Sequence, residues 1–297
     1  MELLVWPGEW AVGSVSVECL EAMAYCKLLG LQQQPVHVRK YIFSSDVEPV
    51  LFSLSPIQLA RGMPAIASLL EKKEHLHLDS HLSEKDKADL LAYQTMVKQK
   101  FVPAFNFAMW GDERNYTEVT RPTFARIVTF PCNYTVPGRL QRRYLQELST
   151  RLEESASVHD VEIRLNKSAR ECLLALSERL GTSLYIFGSR PTSLDAFLFS
   201  RLCLVMKVPF PNGNLATNVN AFSNLVEYVN RIHNKFIVSE VRKQTAPKQP
   251  SEWAGLLMSL SFATSIMLGY AIYKGILHIE FDPPPILRRL MFSASNS

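Results

Sequence analysis

Three histidines and one aspartate fall within a seven-residue stretch, HLHLDSH, and their side chains are of the types that bind zinc. They are His75, His77, Asp79 and His81. Imidazole nitrogen and carboxylate oxygen are common zinc ligands. No further cluster of ligand residues accompanies the stretch, and histidines in such loops are usually solvated. We therefore favour a solvated loop over a metal site, and we predict no metal or other cofactor.

The cysteines are the other reactive side chains, and they are scattered. They are Cys19, Cys26, Cys132, Cys172 and Cys203. No two have C-x-x-C spacing, and an odd, dispersed set favours a reducing compartment over a disulfide framework or a zinc site. Cys19 and Cys26 share the apolar face of a predicted helix, so we expect packed thiols. The chain also lacks a glycine-rich phosphate loop and a G-x-S-x-G nucleophile motif.

Composition and charge indicate a globular protein. The chain has 297 residues, of which 47% are hydrophobic and 20% are charged, enough for two modest domains. A net charge of +4 does not predict nucleic-acid binding, which requires a concentrated basic face. The N-terminal stretch has no Lys or Arg before Lys27, and Pro7 and Gly8 interrupt its apolar run. We expect neither a secretory signal nor a transit peptide.

The first helix is predicted by spacing and by its end signals. Apolar residues from Cys19 to Leu29 recur at helical intervals. Ser16 is placed to cap the N-terminus, and Gly30 is placed to end the helix.

Strands are predicted on either side of this helix. LLVW at 3–6 is an apolar run typical of a buried strand, and PVHVRKYI at 35–42 alternates. EPVLFS at 48–53 indicates a third strand, and Pro64 suits the first turn of a helix over PAIASLLEKK. This order of elements predicts a βαβ unit inside a small thioredoxin-like domain.

The following residues are predicted to be helical. Ser83 can cap a long helix that Pro103 should kink. Thr192 and Asp195 form a T-x-x-D capping box, so we interpret Asp195 as structural. Further helices are predicted at 138–153, 161–180, 192–207 and 218–236.

Three arginines form the candidate interaction face. Arg139, Arg142 and Arg143 have i, i+3, i+4 spacing, which places their guanidinium groups on one side of a helix. Such a face suits anionic lipid or an acidic partner, and a simply solvated helix surface is the alternative.

The stretch WAGLLMSLSFATSIMLGYAIY, at 253–273, contains no charged residue. A helix of this length spans about 31 Å at ~1.5 Å per residue, close to the ~30 Å hydrocarbon core of a bilayer. This predicts a transmembrane tail anchor, with 274–297 as a short tail beyond the membrane. Ser261, Ser265 and Gly269 recur every four residues and therefore share one face of the helix. This stripe either packs on another helix or reflects the general enrichment of small residues in membrane helices.

The polar segment SEVRKQTAPKQPSE at 239–252 contains two prolines and is interpreted as a linker. The predicted anchor lies late in the chain. We therefore expect insertion after translation, with the N-terminal domains facing the cytosol.

Several blocks of sequence, in the same order, resemble the metaxin family. They are the opening LLVWPGEWAVGSVSVECLEAMAYCKLLG, ADLLAYQTMVKQKFVPAF at 88–105, NYTEVTRP at 115–122, VPGRLQRRYLQEL at 136–148, ARECLLALSERLG at 169–181 and YIFGSRPTSLDAFLFS at 185–200. The stretch 50–65 matches less closely. The resemblance implies an α+β to mostly α, glutathione-transferase-like fold. Its parts would be a thioredoxin-like domain at 1–79, an all-helical domain at 80–238 and the C-terminal transmembrane helix.

The resemblance also implies a function. It implies a mitochondrial outer-membrane protein facing the cytosol, a non-catalytic subunit of the sorting and assembly machinery in protein import and β-barrel insertion. Its implied partners are another metaxin subunit, a β-barrel insertase, outer-membrane lipid, and inner-membrane organising complexes or motor adaptors. The alternatives are an adaptor linking mitochondria to microtubule motors and a membrane-tethered glutathione-dependent enzyme.

A glutathione enzyme needs a Tyr, Ser or Cys after the first strand, to lower the pKa of the thiol and hold the thiolate. Ser14 and Ser16 are the candidates in PGEWAVGS, and Ser16 fits better as a helix cap. Glutathione transferases also place an acidic–Ser pair before the third helix, where this chain has LARGMP. Without those groups the charged ends of the peptide would be unpaired. We therefore predict that the chain is not an enzyme.

Overall fold

The computed structural model describes most of the chain. The described residues are 2–30, 37–40, 50–54, 57–74, 77–128, 130, 132–149, 157–234 and 252–274. The chain divides into two compact units, Met1–Thr245 and Ala246–Ser297. We call the first unit the head.

A four-stranded sheet opens the head. Its strands are β1 (Glu2–Val5), β2 (His37–Lys40), β3 (Val50–Leu54) and β4 (Ile57–Arg61), in the order β2-β1-β3-β4. β1 pairs parallel with β2 and antiparallel with β3, and β3 pairs antiparallel with β4. The helices of this part are α1 (Val17–Leu28) and α2 (Gly62–Glu74). The three predicted strands are present with shifted ends, and the outer residues of 35–42 lie outside the described part.

Strand β4 was not predicted. It lies in the stretch 50–65, and its five residues end directly before Gly62. A strand this short gives little alternation to detect, and it is defined by its pairing with β3, from Leu54 against Ile57 to Val50 against Arg61.

The first helix has the predicted ends. The Ser16 hydroxyl accepts the Cys19 backbone N–H at 3.2 Å, which satisfies a donor at the helix N-terminus. Gly30 follows the helix with φ of +68°, a left-handed conformation that glycine adopts without steric cost. Cys19 and Cys26 are buried in the apolar core, as expected.

The rest of the head is helical. Its helices are α3 (Glu84–Met96), α4 (Val102–Asn106), α5 (Glu113–Asn115), α6 (Arg121–Ile127), α7 (Val136–Ser149), α8 (Val158–Leu180), α9 (Ser193–Lys207), α10 (Asn214–Asn220) and α11 (Ser223–Ile232). The prediction of a single helix at 218–236 is wrong at its N-terminal end. The described chain forms α10 and α11, with a break at 221–222, and residues 235–236 lie outside the described part.

The long helix predicted from Ser83 is interrupted where Pro103 requires it. The Ser83 hydroxyl accepts the Asp86 N–H at 3.2 Å and caps α3. A π-helical turn, Val97–Phe101, then separates α3 from α4, which has Pro103 in its first turn. Proline lacks an N–H and its ring clashes with the preceding turn, so the wider turn absorbs the mismatch.

The α9 helix is the centre of the head and begins at a buried polar network. Asp195 is fully buried, and its carboxylate accepts the backbone N–H groups of Thr192 and Ile186 at 2.7 and 3.1 Å. It also accepts the hydroxyl groups of Thr192 and Tyr228, at 2.8 and 2.9 Å. Burial nevertheless raises the pKa of Asp195, because removal from water disfavours the charged form. The capping box ties α9 to α11 and to the 185–188 turn.

The second unit contains helix α12 (Glu252–Tyr273), at the position of the predicted anchor. Among the helices of the described residues, none is identified as both long enough and apolar enough to cross a membrane. The predicted helix is therefore present, and the transmembrane prediction is unsupported.

Candidate functional site

A cleft opens at the N-terminus of α1, where a glutathione enzyme would activate its thiol. We call it the α1 cleft; it is lined by Val15, Ser16, Val17, Glu18, Phe105, Met109, Trp110, Phe124 and Tyr144. Its walls come from α1, α4, α6, α7 and the π-helical turn Phe107–Gly111, so it lies between the sheet part and the helical part of the head.

The two candidate serines of this cleft are buried and engaged. Ser14 is fully buried, and its hydroxyl accepts the Ser16 N–H at 3.2 Å. The Ser16 hydroxyl accepts the Cys19 N–H and donates to Glu18 Oε2 at 3.0 Å. Both hydroxyl groups are therefore engaged in hydrogen bonds that shape the start of α1, although Ser16 also lines the cleft.

A carboxylate of the chain, that of Glu18, lines the α1 cleft. Glu18 is in the first turn of α1, where the positive end of the helix dipole favours an anion. Its Oε1 accepts the Tyr144 hydroxyl at 3.2 Å, while Oε2 accepts Ser16. A second anion placed here would face repulsion from Glu18 and would find these two donors occupied.

Aromatic rings fill the wall opposite α1. Tyr144 stacks on Trp110, with ring centroids 5.1 Å apart and planes at 12°. Trp110 also meets Phe124 edge-on at 5.1 Å. Burial and the neighbouring Glu18 carboxylate raise the pKa of Tyr144 well above its ordinary value, so its hydroxyl remains a donor.

The loop between β1 and α1 contacts a residue that follows α11. Trp10 and Ala11 have φ of 53° and 59°, values that non-glycine residues rarely adopt. His233, buried after α11, lies with Nε2 2.9 Å from the Ala11 carbonyl oxygen. A Cβ on Gly8 would lie 2.0 Å from the Val12 carbonyl oxygen, so the loop requires glycine there. This loop leaves little freedom to present a new side chain to the cleft.

The Cys19 thiol, in α1, does not supply a nucleophile. Burial raises the pKa of Cys19 to about 11, so the thiol is protonated at neutral pH. The Cys172 and Cys203 thiols are buried in the helical part, and burial raises the pKa of each to about 12. Cys132, in the turn before α7, is exposed.

The histidine stretch forms local structure. His75 lies outside the described residues. The Asp79 N–H donates to His77 Nδ1 at 3.1 Å, and Asp79 Oδ1 accepts the Ser193 N–H at 2.7 Å, which ties this turn to the start of α9. Within the described residues, no three His, Cys, Asp or Glu side chains converge in a way that could hold a metal ion.

The three predicted arginines lie together on α7. Arg139, Arg142 and Arg143 are all exposed, while Leu140 and Leu148 of the same helix are buried. We call these three residues the arginine face.

The small-residue stripe lies on α12. Ser261 and Ser265 are exposed, and the Ser265 hydroxyl donates to the Ser261 carbonyl oxygen at 2.8 Å. The backbone at Gly269 is helical, and its surroundings lie outside the described part. Whether this stripe packs on a neighbouring helix stays a prediction.

A second cleft, which we call the Asn115 cleft, was not foreseen; Asn115, Glu162 and Asn212 in its lining belong to one polar network. Asn115 is 1% exposed; its amide group donates to the Ala108 and Asn212 carbonyl oxygens, and its Oδ1 accepts the Asn212 N–H at 2.8 Å. The Asn212 amide then donates to Asp112 and Glu162, each at 2.8 Å. The bonds of Asn212 join positions 50 to 100 residues apart, so no local pattern could have indicated them. The network joins α5, α8 and the segment before α10.

Comparison with known proteins gives the family. The Tom37 family model, described as "Outer mitochondrial membrane transport complex protein", matches residues 19–141. The chain is 31% identical to metaxin-1 of Mus musculus over 300 aligned positions, which cover 96% of this chain and 93% of that protein. The chain belongs to the metaxin family. Metaxin-3 of Xenopus laevis is 36% identical over 260 positions, covering 86% of this chain and 83% of that protein.

The fold of this metaxin is glutathione-transferase-like. A model described as the glutathione S-transferase C-terminal domain matches residues 169–232. A glutathione S-transferase of Ceriporiopsis subvermispora, solved with glutathione, superposes with a TM-score of 0.53. It covers 83% of this chain and 98% of its own, at 12% identity, which shows the fold alone. Function is therefore inferred from the metaxin relatives and from the geometry of the α1 cleft.

Proposed function

We propose that this metaxin is a non-catalytic subunit of the mitochondrial outer-membrane sorting and assembly machinery, acting in protein import and β-barrel insertion. Its head would face the cytosol and bind another metaxin subunit and a β-barrel insertase. Family membership supports the role in outer-membrane transport. In this proposal the head binds its partners through its surface and catalyses no reaction.

One observation carries the non-catalytic part of the proposal. Glu18 occupies the N-terminus of α1 and binds both Ser16 and Tyr144, at 3.0 and 3.2 Å. A thiolate at the same place would need Glu18 to move and both donors to be released. The α1 cleft therefore has its own internal anion, which disfavours the binding of glutathione.

Attachment to the membrane is proposed for α12. Four of its apolar side chains are largely exposed: Leu260, Ile266, Met267 and Leu268. Insertion of such side chains among lipid tails is favourable because it removes apolar surface from water. The proposal concerns attachment and not crossing; alkaline carbonate extraction of the full chain distinguishes an interfacial helix, which is released, from an embedded one.

A cross-linking pull-down from mitochondria tests the assembly role. We expect the full chain to recover a second metaxin and a β-barrel insertase. Recovery of motor adaptors alone would favour the trafficking alternative and overturn the assembly role.

A glutathione-conjugation assay and a glutathione-agarose binding test address the enzyme alternative. We expect no turnover and no retention above a heat-unfolded control. Measurable turnover by purified chain would overturn the non-catalytic assignment.

A further inference from the structure

Helix α7 has one face in the core and one face in solvent. Leu140 and Leu148, each 4% exposed, fix its orientation on the head. The arginine face points the opposite way, because positions 139, 142 and 143 fall on the other side of the helical repeat. Packing of the helix therefore presents the three guanidinium groups to the surroundings together.

Some exposed basic residues of the head form ion pairs with carboxylates of the head, whereas the arginine face forms none within the described residues. Such pairs are Lys87–Glu84, Lys100–Glu171, Arg114–Glu118 and Arg126–Glu9. Across the described part of the chain, no carboxylate forms an ion pair with the arginine face. Arg142 Nε donates to the Gly138 carbonyl oxygen of its own helix, at 3.3 Å.

Like charges on successive turns repel and weaken a helix. Mutual repulsion of the three guanidinium groups therefore weakens α7. An external anion that meets all three would remove that repulsion.

An exposed aromatic residue lies beside this helix. Tyr134 precedes α7 by two residues and is 76% exposed, and its ring meets Phe130 edge-on at 6.1 Å. Tyrosine is enriched at the interface between lipid and water, where its apolar ring and polar hydroxyl are both accommodated. The turn Cys132–Tyr134 thus adds an interfacial side chain at the N-terminal end of the helix that carries the arginine face.

The absence of the arginine face from the two described clefts favours a membrane over an acidic peptide. Neither the α1 cleft nor the Asn115 cleft is lined by the arginine face. A bound peptide is usually held in a groove or along a strand edge. The phosphates of a membrane form a plane and need no groove, and a guanidinium group binds phosphate through two parallel hydrogen bonds.

We infer that the arginine face, together with Tyr134, binds anionic phospholipid headgroups at a membrane surface and sets the orientation of the head there. The inference builds on the proposed function, which places the head beside the outer membrane. It assigns a lipid contact to α7, apart from attachment through α12.

Cys132 offers a site-specific probe for the test. It is exposed and two residues from Tyr134, whereas the other four cysteines are buried. The full chain, labelled there with a fluorophore, is reconstituted into phosphatidylcholine vesicles with and without phosphatidylinositol. Quenching of the fluorophore by a lipid that carries a nitroxide on its headgroup then reports whether Cys132 lies close to the vesicle surface.

We expect strong quenching in vesicles with phosphatidylinositol, and its loss at high salt, since screening weakens contacts between exposed charges. The triple variant R139Q/R142Q/R143Q should lose the quenching. The matched control K87Q/K100Q/R114Q removes the same charge from exposed paired residues and should keep it. Circular dichroism of both variants verifies that the head remains folded.

Equal quenching of the triple variant and the wild type, or equal quenching in neutral vesicles, would overturn the inference. So would binding of a polyglutamate peptide to the arginine face without vesicle quenching, which would assign the face to an acidic protein. Failure of the inference is separable from failure of the proposed function. The mitochondrial pull-down reports import partners whether or not α7 touches lipid.

Discussion

Arg201 Nη1 lies 2.8 Å from Glu21 Oε2, and this ion pair joins α9 to α1 inside the head. The side chains are only 11% and 12% exposed, and the same Arg201 nitrogen also donates to the Phe197 carbonyl oxygen at 2.8 Å. Most of the cost of taking both charges out of water is thus balanced by direct bonds. The pair joins the sheet part of the head to its helical part.

Removal of one partner of this pair should be costly. Glu21→Gln leaves the guanidinium group of Arg201 buried without its anion, so we expect the free energy of unfolding to fall by about 3 kcal/mol. Urea denaturation followed by circular dichroism measures the change. The double variant Glu21→Leu with Arg201→Met should recover much of the loss, because no charge is then buried. A double variant as unstable as Glu21→Gln would show that the charges themselves stabilise the head.

The buried cap of α9 should matter more than an exposed cap of the same type. Asp195→Asn places an amide N–H₂ group against donors of Thr192, Ile186 or Tyr228, and we expect a loss of about 3 kcal/mol. Asp160→Asn is the matched control, because Ser157 and Asp160 form the same kind of cap at the exposed start of α8. Its cost should be about 1 kcal/mol or less. Equal costs in a urea titration would contradict the assigned role of burial.

The capping serines and the Thr192–Asp195 box could be predicted from the sequence because each involves residues three positions apart. The contact of Glu18 with Tyr144 could not, since it joins positions 126 residues apart. The Asn115–Asn212 network, across 97 positions, is equally hidden from local patterns. In α12 the helix was predictable from an uncharged run, whereas its relation to a membrane depends on more than the absence of charge.

Thiol reactivity should separate one cysteine from the rest. Cys132 is exposed, while burial raises the pKa of Cys19 to about 11 and of Cys172 and Cys203 to about 12. A raised pKa means that these three thiols stay protonated and poorly nucleophilic in the native head at pH 7 to 9. We expect a thiol reagent to modify Cys132 rapidly and the buried set only after denaturation. Mass spectrometry of the labelled peptides identifies the site, and fast labelling of Cys19 would contradict its packing.

Deletion of residues 252–297 should leave a folded head. The head, within Met1–Thr245, is a compact unit with its own buried apolar core. We expect the truncated chain to stay in the supernatant after centrifugation and to unfold cooperatively, while the full chain co-sediments with mitochondrial membranes. The control is deletion of 275–297 alone, which retains α12 and should retain membrane association. An aggregated truncated head would indicate that α12 belongs to the core.

Opening the α1 cleft should destabilise the head without creating a glutathione site. Tyr144→Phe keeps the ring stacked on Trp110 and removes only the bond to Glu18, so we expect a loss of about 1 kcal/mol. Trp110→Ala removes the stacked partner and leaves a cavity, with an expected loss of about 3 to 5 kcal/mol. Neither variant supplies a thiol-activating donor, because Ser14 and Ser16 remain bonded at the start of α1, so glutathione-agarose should retain neither. Retention of Tyr144→Phe, but not of the wild type, would show that the Glu18–Tyr144 contact blocks a working thiol site.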